Sequence, residues 1–194
     1  MKTTVYRVSL VTTTPMLGSQ PTVDIATEFI AGKAGIELPE DEVLTLPQEL
    51  EKGTTVFHKL DGAPVLFDYQ IKGFMKEAAR ASNGRVRGGV KNLAAKVEQY
   101  VFICPRVITM NVDGMTIDYC VRPLRAETAR GPRTAIARSE MLPAGVKIDF
   151  QLSVVYGALE QEVLEDLLDY GELKGLGQFR NGGYGRFEYV LEKE

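Results

Sequence analysis

The sequence predicts an α+β protein in which an antiparallel sheet carries two helices on one face. The chain opens with a β-branched stretch at residues 3–14, and two amphipathic helical patterns lie at 69–81 and 159–171. Stretches of strand-like composition stand before and after each helical pattern. The 194 residues are enough for one sizeable core, and a charged share of 25% is usual for globular proteins. We therefore expect a single domain over residues 1–194.

An inserted helical segment is predicted at about residues 22–52, after the first strand. Thr22 is placed to cap a helix over 23–33. The acidic stretch 37–51 predicts a second, shorter helix that Pro47 interrupts.

The central helix at 69–81 follows two short strands. Residues 53–67 predict these strands around Asp61-Gly62, a common hairpin turn signal. The helix places its apolar side chains on one face: Ile71, Phe74, Met75 and Ala78. A flexible basic loop over 82–89 then leads to a short helix near 90–98.

The next segment is predicted to hold a hairpin and a basic arm. Residues 100–110 and 115–121 have strand composition, and Asp113-Gly114 supplies the turn between them. Residues 122–133 have no regular period and predict an extended basic arm, within an insertion at about 106–138.

The C-terminal part predicts a strand at 145–156, the helix at 159–171, a glycine-rich turn at 175–185 and a last strand at 186–191. The apolar face predicted to point inward from this helix comprises Leu159, Val163, Leu164, Leu167 and Leu168. Without the insertions the order is strand, helix, strand, strand, helix, strand. This is the ferredoxin-like split βαβ order of RNA-recognition-motif-like proteins. The open face of such a sheet is free to meet a ligand.

Charge is unevenly distributed along the chain, although the net charge is only -3. Residues 71–140 carry 13 Lys and Arg against 6 Asp and Glu, whereas residues 1–70 and 141–194 each carry 5 against 10. A basic middle between acidic flanks permits one anion-binding face on an acidic protein. The alternative is that folding scatters these charges over the surface.

The chain offers few residues for metal or nucleophile chemistry. Cys104 and Cys120 form neither a disulfide framework nor a sufficient metal site, and His58 is the single histidine. We expect His58 at an exposed strand position, and we expect no metal and no cofactor. No stretch approaches the ~18 apolar residues of a membrane span, and no secretory signal is evident, so we expect a cytoplasmic protein.

The glycine-rich segment 175–187 permits two interpretations. Its backbone N–H groups can point at a phosphate, with Arg180 and Arg186 on either side. It can equally be a tight connection between helix and strand. Its five glycines are Gly175, Gly177, Gly182, Gly183 and Gly185.

Four stretches resemble the RAMP superfamily, specifically the repeated backbone subunits of type III CRISPR effectors. They are the end of the first strand (14–19), the segment 61–80 with Lys72-Gly73, the segment 139–150 and the glycine-rich segment. The usual Pro-Gly-Ser-Ser before the helix is replaced by Phe67-Asp68-Tyr69-Gln70. The chain is short for a subunit of this kind and is similar to a stand-alone, phage-encoded relative.

The resemblance implies that one surface grips single-stranded RNA or DNA. Its candidate contacts are Lys72, Lys76, Arg80, Arg85, Arg87, Lys91, Arg122, Arg125, Arg130, Arg133, Arg138, Arg180 and Arg186. For each one, a solvated surface position is the alternative. Tyr69 and Tyr184 are the preferred base-stacking candidates over Tyr119 and Phe74, and Phe74 is expected in the core.

Three functions follow from these observations. The first is backbone-directed binding of single-stranded nucleic acid, with head-to-tail self-association or a place in a CRISPR-like defence complex. The second is a phage anti-defence protein that mimics a subunit and acts through protein contacts, which suits the acidic flanks. The third is a metal-dependent ribonuclease that uses Asp24; this residue also fits the first turn of the helix after Thr22, so we favour a non-enzymatic role.

Overall fold

The computed structural model describes residues 2–22, 26–27, 30, 33, 53–128 and 131–194, with side chains except at 124–128 and 132–135. The chain divides into two compact units. The first comprises Met1–Met16, His58–Thr116 and Leu142–Glu194, and the second comprises Leu17–Phe57 and Ile117–Met141. The second unit thus draws on the two stretches in which the sequence predicts insertions.

Strands and helices are numbered here in chain order. The strands are β1 (Thr3–Thr12), β2 (Met16–Leu17), β3 (Gln20–Pro21), β4 (Thr55–Val56), β5 (His58–Leu60), β6 (Ala63–Phe67), β7 (Val101–Cys104), β8 (Val107–Asn111), β9 (Asp118–Thr128), β10 (Gly131–Leu142), β11 (Lys147–Val155) and β12 (Phe187–Lys193). The helices are α1 (Asp68–Ser82), α2 (Leu93–Tyr100) and α3 (Gln161–Lys174), with a 3₁₀ turn at Arg180–Gly182.

The sheet of the first unit has the strand order β12-β1-β11-β8-β6-β5, and β7 also pairs with β11. The pairs that β1 forms with β11 and β12 are antiparallel, as are those of β11 with β7 and β8. Taken with the helices between the strands, this is the predicted α+β, ferredoxin-like arrangement. The fold-class prediction is confirmed.

The core of the first unit lies on the face of this sheet that the helices cover. Along β1, Val8 and Leu10 are buried while Arg7 and Val11 are exposed, the period-two alternation of a strand with one wet face. The helix residues predicted to face inward are all buried: Ile71, Phe74, Met75, Ala78, Leu159, Val163, Leu164, Leu167 and Leu168.

An aromatic contact joins the two long helices to β12. The ring of Phe187 lies edge-on to Phe74 with centroids 5.6 Å apart, and Tyr170 stacks on Phe74 at 6.3 Å. A Cβ at Gly171 would lie 1.9 Å from the Phe187 ring. Glycine at this position of α3 therefore makes the ring's approach possible.

The turn predicted at Asp61-Gly62 is confirmed. Both residues have positive φ, 50° and 83°, and β5 pairs antiparallel with β6 around them. Two such φ values in a two-residue loop suit the twist of a β-hairpin.

The sheet of the second unit has the order β2-β10-β4-β3, and β9 also pairs with β10. The sequence predicted a hairpin of 100–110 with 115–121, and this prediction is wrong. The turn exists, because the Met115 N–H donates to the Val112 carbonyl over 2.9 Å. However, β8 pairs with β6 and β11, whereas β9 pairs with β10.

Most of the predicted basic arm lies in regular β-strands, although its sequence has no regular period. Residues 122–128 lie in β9 and residues 131–133 in β10, and these strands form a long antiparallel ribbon in the register Asp118↔Met141 to Thr128↔Gly131. Its charged residues and Pro123 hide the strand period in the sequence, and pairing between strands supplies the order. Of the predicted helix over 23–33, Ala26, Thr27, Ile30 and Lys33 are helical. The rest of that helix and the stretch 37–51 lie outside the described residues.

Within the part of the chain that the structure describes, no helix is both long and apolar enough to cross a membrane.

Candidate nucleic-acid interface

Several predicted contact residues of the first unit are engaged by carboxylates. Lys76 Nζ lies 2.6 Å from Glu98 Oε1, and the Arg180 guanidinium donates to Glu77 over 2.7 Å. The Lys76 ammonium holds the pKa of Glu98 below its usual value. Each of these charges is already partly neutralised, so it attracts phosphate less than an unpaired cation does.

Lys72 is engaged by the backbone and by a ring. Its Nζ donates to the carbonyl of Val101 and lies 5.5 Å from the centroid of the Phe102 ring. Burial lowers the pKa of the Lys72 ammonium. This side chain ties α1 to β7.

Four predicted contact residues of the first unit are exposed and make no ion pair with any described residue: Arg80, Arg85, Lys91 and Arg186. Two of them, Arg80 and Lys91, line one cavity of about 760 Å³ between the end of α1 and the start of α2. The structure therefore brings part of the predicted basic set together.

Four backbone N–H groups of the glycine-rich segment donate hydrogen bonds to nearby carbonyls. The N–H groups of Gly175, Gly182, Gly183 and Gly185 bond to the carbonyls of Gly171, Phe179, Arg180 and Pro15, respectively, over 2.8–2.9 Å. At Gly185 an added Cβ would lie 1.9 Å from the Leu176 carbonyl oxygen. The segment is packed closely against its own backbone, which is the geometry of a tight connection.

The two preferred stacking candidates differ in their surroundings. Tyr69 is 55% exposed and stacks on Phe67, with centroids 5.4 Å apart and planes 10° apart. The rings of His58 and Phe67 also make an edge-to-face contact, with centroids 4.8 Å apart. Tyr184 is half-buried and lies tilted against Phe179 at 5.8 Å. Of the two rings, Tyr69 is therefore the more accessible to a base, on the face that Phe67 does not cover.

The ribbon of the second unit carries an exposed apolar and cationic surface. Tyr119, Val121 and Ile136 are 45%, 58% and 55% exposed. The guanidinium carbon of Arg138 lies 3.8 Å from the centroid of the Tyr119 ring. Because Val121 pairs with Arg138 and Pro123 with Ile136, these side chains share one side of the ribbon. We call this set, Tyr119, Val121, Ile136 and Arg138, the ribbon face.

The other side of the ribbon is structural. Arg122 is only 9% exposed, and it donates to Ser139 Oγ over 3.1 Å. Ser139 Oγ in turn lies 2.7 Å from Thr55 Oγ1 on β4. Arg122 therefore supports the sheet. Arg130 and the side chains of Arg125 and Arg133 lie outside the described residues.

The open face of the first unit's sheet carries more acidic than basic side chains. Asp149, Glu188 and Glu192 are exposed there, against Arg7 and Lys147. Arg7 is already paired with Glu194 at 3.1 Å. This slight excess of negative charge disfavours phosphate, so the face lacks the charge expected of a nucleic-acid platform.

The ribonuclease candidate Asp24 lies outside the described residues. Among the residues that the structure describes, no group of three His, Cys, Asp or Glu side chains is placed to hold a metal ion.

Comparison with known proteins shows a shared fold. No protein-family model matches the chain, and no curated protein matches its sequence. Among solved structures, the chain is similar to one in a cryo-EM structure of the type III-B Cmr-beta bound to cognate target RNA. The match has a TM-score of 0.53 at 16% identity and covers 99% of this chain. This chain spans 61% of the length of that one.

Sequence reasoning missed two residues of the ribbon face, Val121 and Ile136, and ranked Tyr119 below Tyr69 and Tyr184. A signal was present in the sequence: Tyr119, Val121 and Pro123 alternate with Cys120 and Arg122 at the period of a strand.

Proposed function

We propose that this protein binds single-stranded nucleic acid and that the ribbon face is its contact surface. The observation that carries the proposal is the Arg138 guanidinium stacked over an exposed Tyr119 ring. A guanidinium in this position keeps its edge donors for phosphate, and the ring beside it offers a surface on which bases stack.

The composition of the ribbon supports the same ligand. Residues 118–142 carry five Arg against three Asp and Glu, and one of the five, Arg122, is buried on the other side of the ribbon. Val121 and Ile136 add exposed aliphatic surface beside the stacked pair. A cationic strip with aromatic and aliphatic side chains favours single strands, whose bases are free to stack, over a duplex.

The likeness in fold to a chain from a structure bound to cognate target RNA supports RNA as the natural ligand. It also supports the distant relation to the RAMP superfamily that the four sequence stretches suggest. In that setting the protein belongs to a larger nucleoprotein assembly, through copies of itself or through other subunits. Size-exclusion chromatography before and after nuclease treatment tests this part, since an assembly held by a strand collapses when the strand is cut.

The test of binding is fluorescence polarisation with labelled single-stranded RNA, single-stranded DNA and duplex. Tyr119→Leu should weaken single-strand binding by about 5- to 150-fold, because loss of a stacked base costs about 1–3 kcal/mol. Arg138→Gln should weaken it and reduce the slope of log K against log salt by about 0.7.

Matched controls come from exposed residues of the first unit. Tyr156→Leu removes an exposed ring, and Lys193→Gln removes an exposed cation. Both should bind like the wild type. If Tyr119→Leu binds as tightly as Tyr156→Leu, the ribbon face is not the contact surface.

A second candidate is the anti-defence role through protein contacts, and the acidic open sheet face favours it. Glu188 and Glu192 flank the exposed Val190 along β12, and Asp149 lies on the same face two strands away. Acidic groups around an apolar centre suit a basic protein surface. Co-purification with a bacterial effector complex in the absence of nucleic acid, lost in a Val190→Glu variant, would select this function over the first.

A further inference from the structure

The strongest unassigned feature of the first unit is the cavity of about 760 Å³ between the end of α1 and the start of α2. Arg80 and Asn83 lie on the α1 side, and Lys91 and Asn92 lie on the α2 side. Leu93 contributes an apolar, buried part of the wall. The cavity is an open cleft large enough for a small organic ligand.

The charge of this cleft is positive. Arg80 and Lys91 are exposed and form no ion pair with a described residue, and none of the described Asp and Glu residues lines the cleft. Glu98 is hydrogen-bonded to Lys76 over 2.6 Å. Lys76 is the main cause of the lowered pKa of Glu98, and the charge of Arg80 contributes less. Two cations that face one cleft repel each other, and an anion between them relieves this repulsion.

The polar and apolar parts of the wall narrow the class of anion. Arg and Lys side chains bind phosphate through charge-assisted hydrogen bonds. The amides of Asn83 and Asn92 offer both donors and acceptors, as a base edge or a sugar hydroxyl requires. Val90 and Ala95 also line the cleft and are at least partly exposed, so they give a ring an apolar surface on which to lie.

We propose that this cleft binds a nucleoside phosphate, with the phosphate between Arg80 and Lys91. The nucleotide is either a free mononucleotide or a nucleotide of a bound strand. The second case rests on the proposed function, and the cleft then receives one particular nucleotide, such as the end of the strand.

Calorimetric titration of the full chain tests the cleft directly. The probes are uridine 5′-monophosphate, adenosine 5′-monophosphate, inorganic phosphate and uridine. The monophosphates should bind more tightly than either inorganic phosphate or uridine. The double variant Arg80→Gln/Lys91→Gln should bind them at least about tenfold more weakly, since two charge-assisted contacts are lost. Lys96→Gln is the matched control and should bind like the wild type, because Lys96 lies in the first turn of α2 but outside the cleft.

The source of the nucleotide is tested with single-stranded oligonucleotides that carry or lack a 5′-phosphate. A gain in affinity from the phosphate that disappears in the double variant indicates a strand end; binding of free monophosphates without such a gain indicates a free nucleotide. Either result supports the cleft. Binding of oligonucleotides without any binding of monophosphates overturns the cleft and leaves the ribbon face standing. Binding of monophosphates without oligonucleotides supports the cleft and overturns the proposed function. An unchanged double variant, with a circular dichroism spectrum and melting temperature like those of the wild type, also overturns the cleft.

Discussion

Arg87 holds Asp166 through two hydrogen bonds, one from its backbone N–H at 2.6 Å and one from its Nε at 2.7 Å. The same guanidinium lies 3.2 Å from Glu165. The carboxylates raise the pKa of Arg87 above its already high value. A residue of the basic loop, expected to meet phosphate, therefore fastens that loop to α3.

Arg87→Gln should lower the melting temperature while leaving the affinity for single-stranded RNA close to that of the wild type. The reason is that the variant removes a contact within the fold and no cation of the ribbon face. Thermal denaturation and fluorescence polarisation on the same preparation measure both effects. A loss of RNA affinity as large as that of Arg138→Gln would show that Arg87 also contacts the nucleic acid.

Gly185→Ala should be much more destabilising than Gly183→Ala. Both glycines have positive φ, 72° and 85°, so in both variants alanine must adopt a left-handed backbone, which costs about 1–2 kcal/mol. At Gly185 the new Cβ would also lie 1.9 Å from a backbone oxygen, whereas at Gly183 the nearest atom is 3.7 Å away. Overpacking adds about 1–3 kcal/mol at Gly185 alone.

Urea denaturation of the two glycine variants gives the comparison. Similar midpoints for both would mean that the segment 175–185 has room to relax, against the tight-connection interpretation. A separate measurement of RNA affinity on Gly183→Ala, which keeps the fold, reports whether this loop touches the ligand.

The free energy of unfolding should fall as the pH drops from about 7 towards 5, and protonation of His58 should contribute to this fall. Burial lowers the pKa of His58 below its usual value of 6.5. The unfolded chain therefore takes up the proton first, and stability is lost until the pH falls below the folded-state pKa. His58 is the single histidine, so His58→Gln should flatten the profile in this window.

Free energies of unfolding from urea titrations at half-unit pH intervals provide the test. The slope is the quantity to compare, because the variant also loses the edge contact with Phe67 and its absolute stability changes. Identical slopes for the two proteins between pH 7 and 5 would rule out His58 as the cause.

Local patterns predicted the parts of the fold that local chemistry dictates. The apolar side chains of α1 and α3 recur at helical spacing, and all those predicted to face inward are buried. The Asp61-Gly62 turn formed as predicted, because its two residues tolerate positive φ. These features need only neighbours within a few residues.

Partners distant in sequence decided the rest. The turn at Asp113-Gly114 formed, yet the strand after it pairs with β10 in the other sheet. Arg122 and Arg138 look alike in sequence, but one is buried against Ser139 and the other lies over Tyr119. Strand register sets which side of the ribbon each occupies.

The sequence by itself determined the α+β class, the positions of α1 and α3 and the concentration of positive charge in the middle of the chain. Only the tertiary structure decided which cations face solvent and which are held by a carboxylate. The physical reason is range: helix and turn formation depend on contacts a few residues apart, whereas Arg87 meets Asp166 and Arg180 meets Glu77 across much of the chain. No local pattern encodes such a pairing, because any surface carboxylate brought near by the fold can bind the cation.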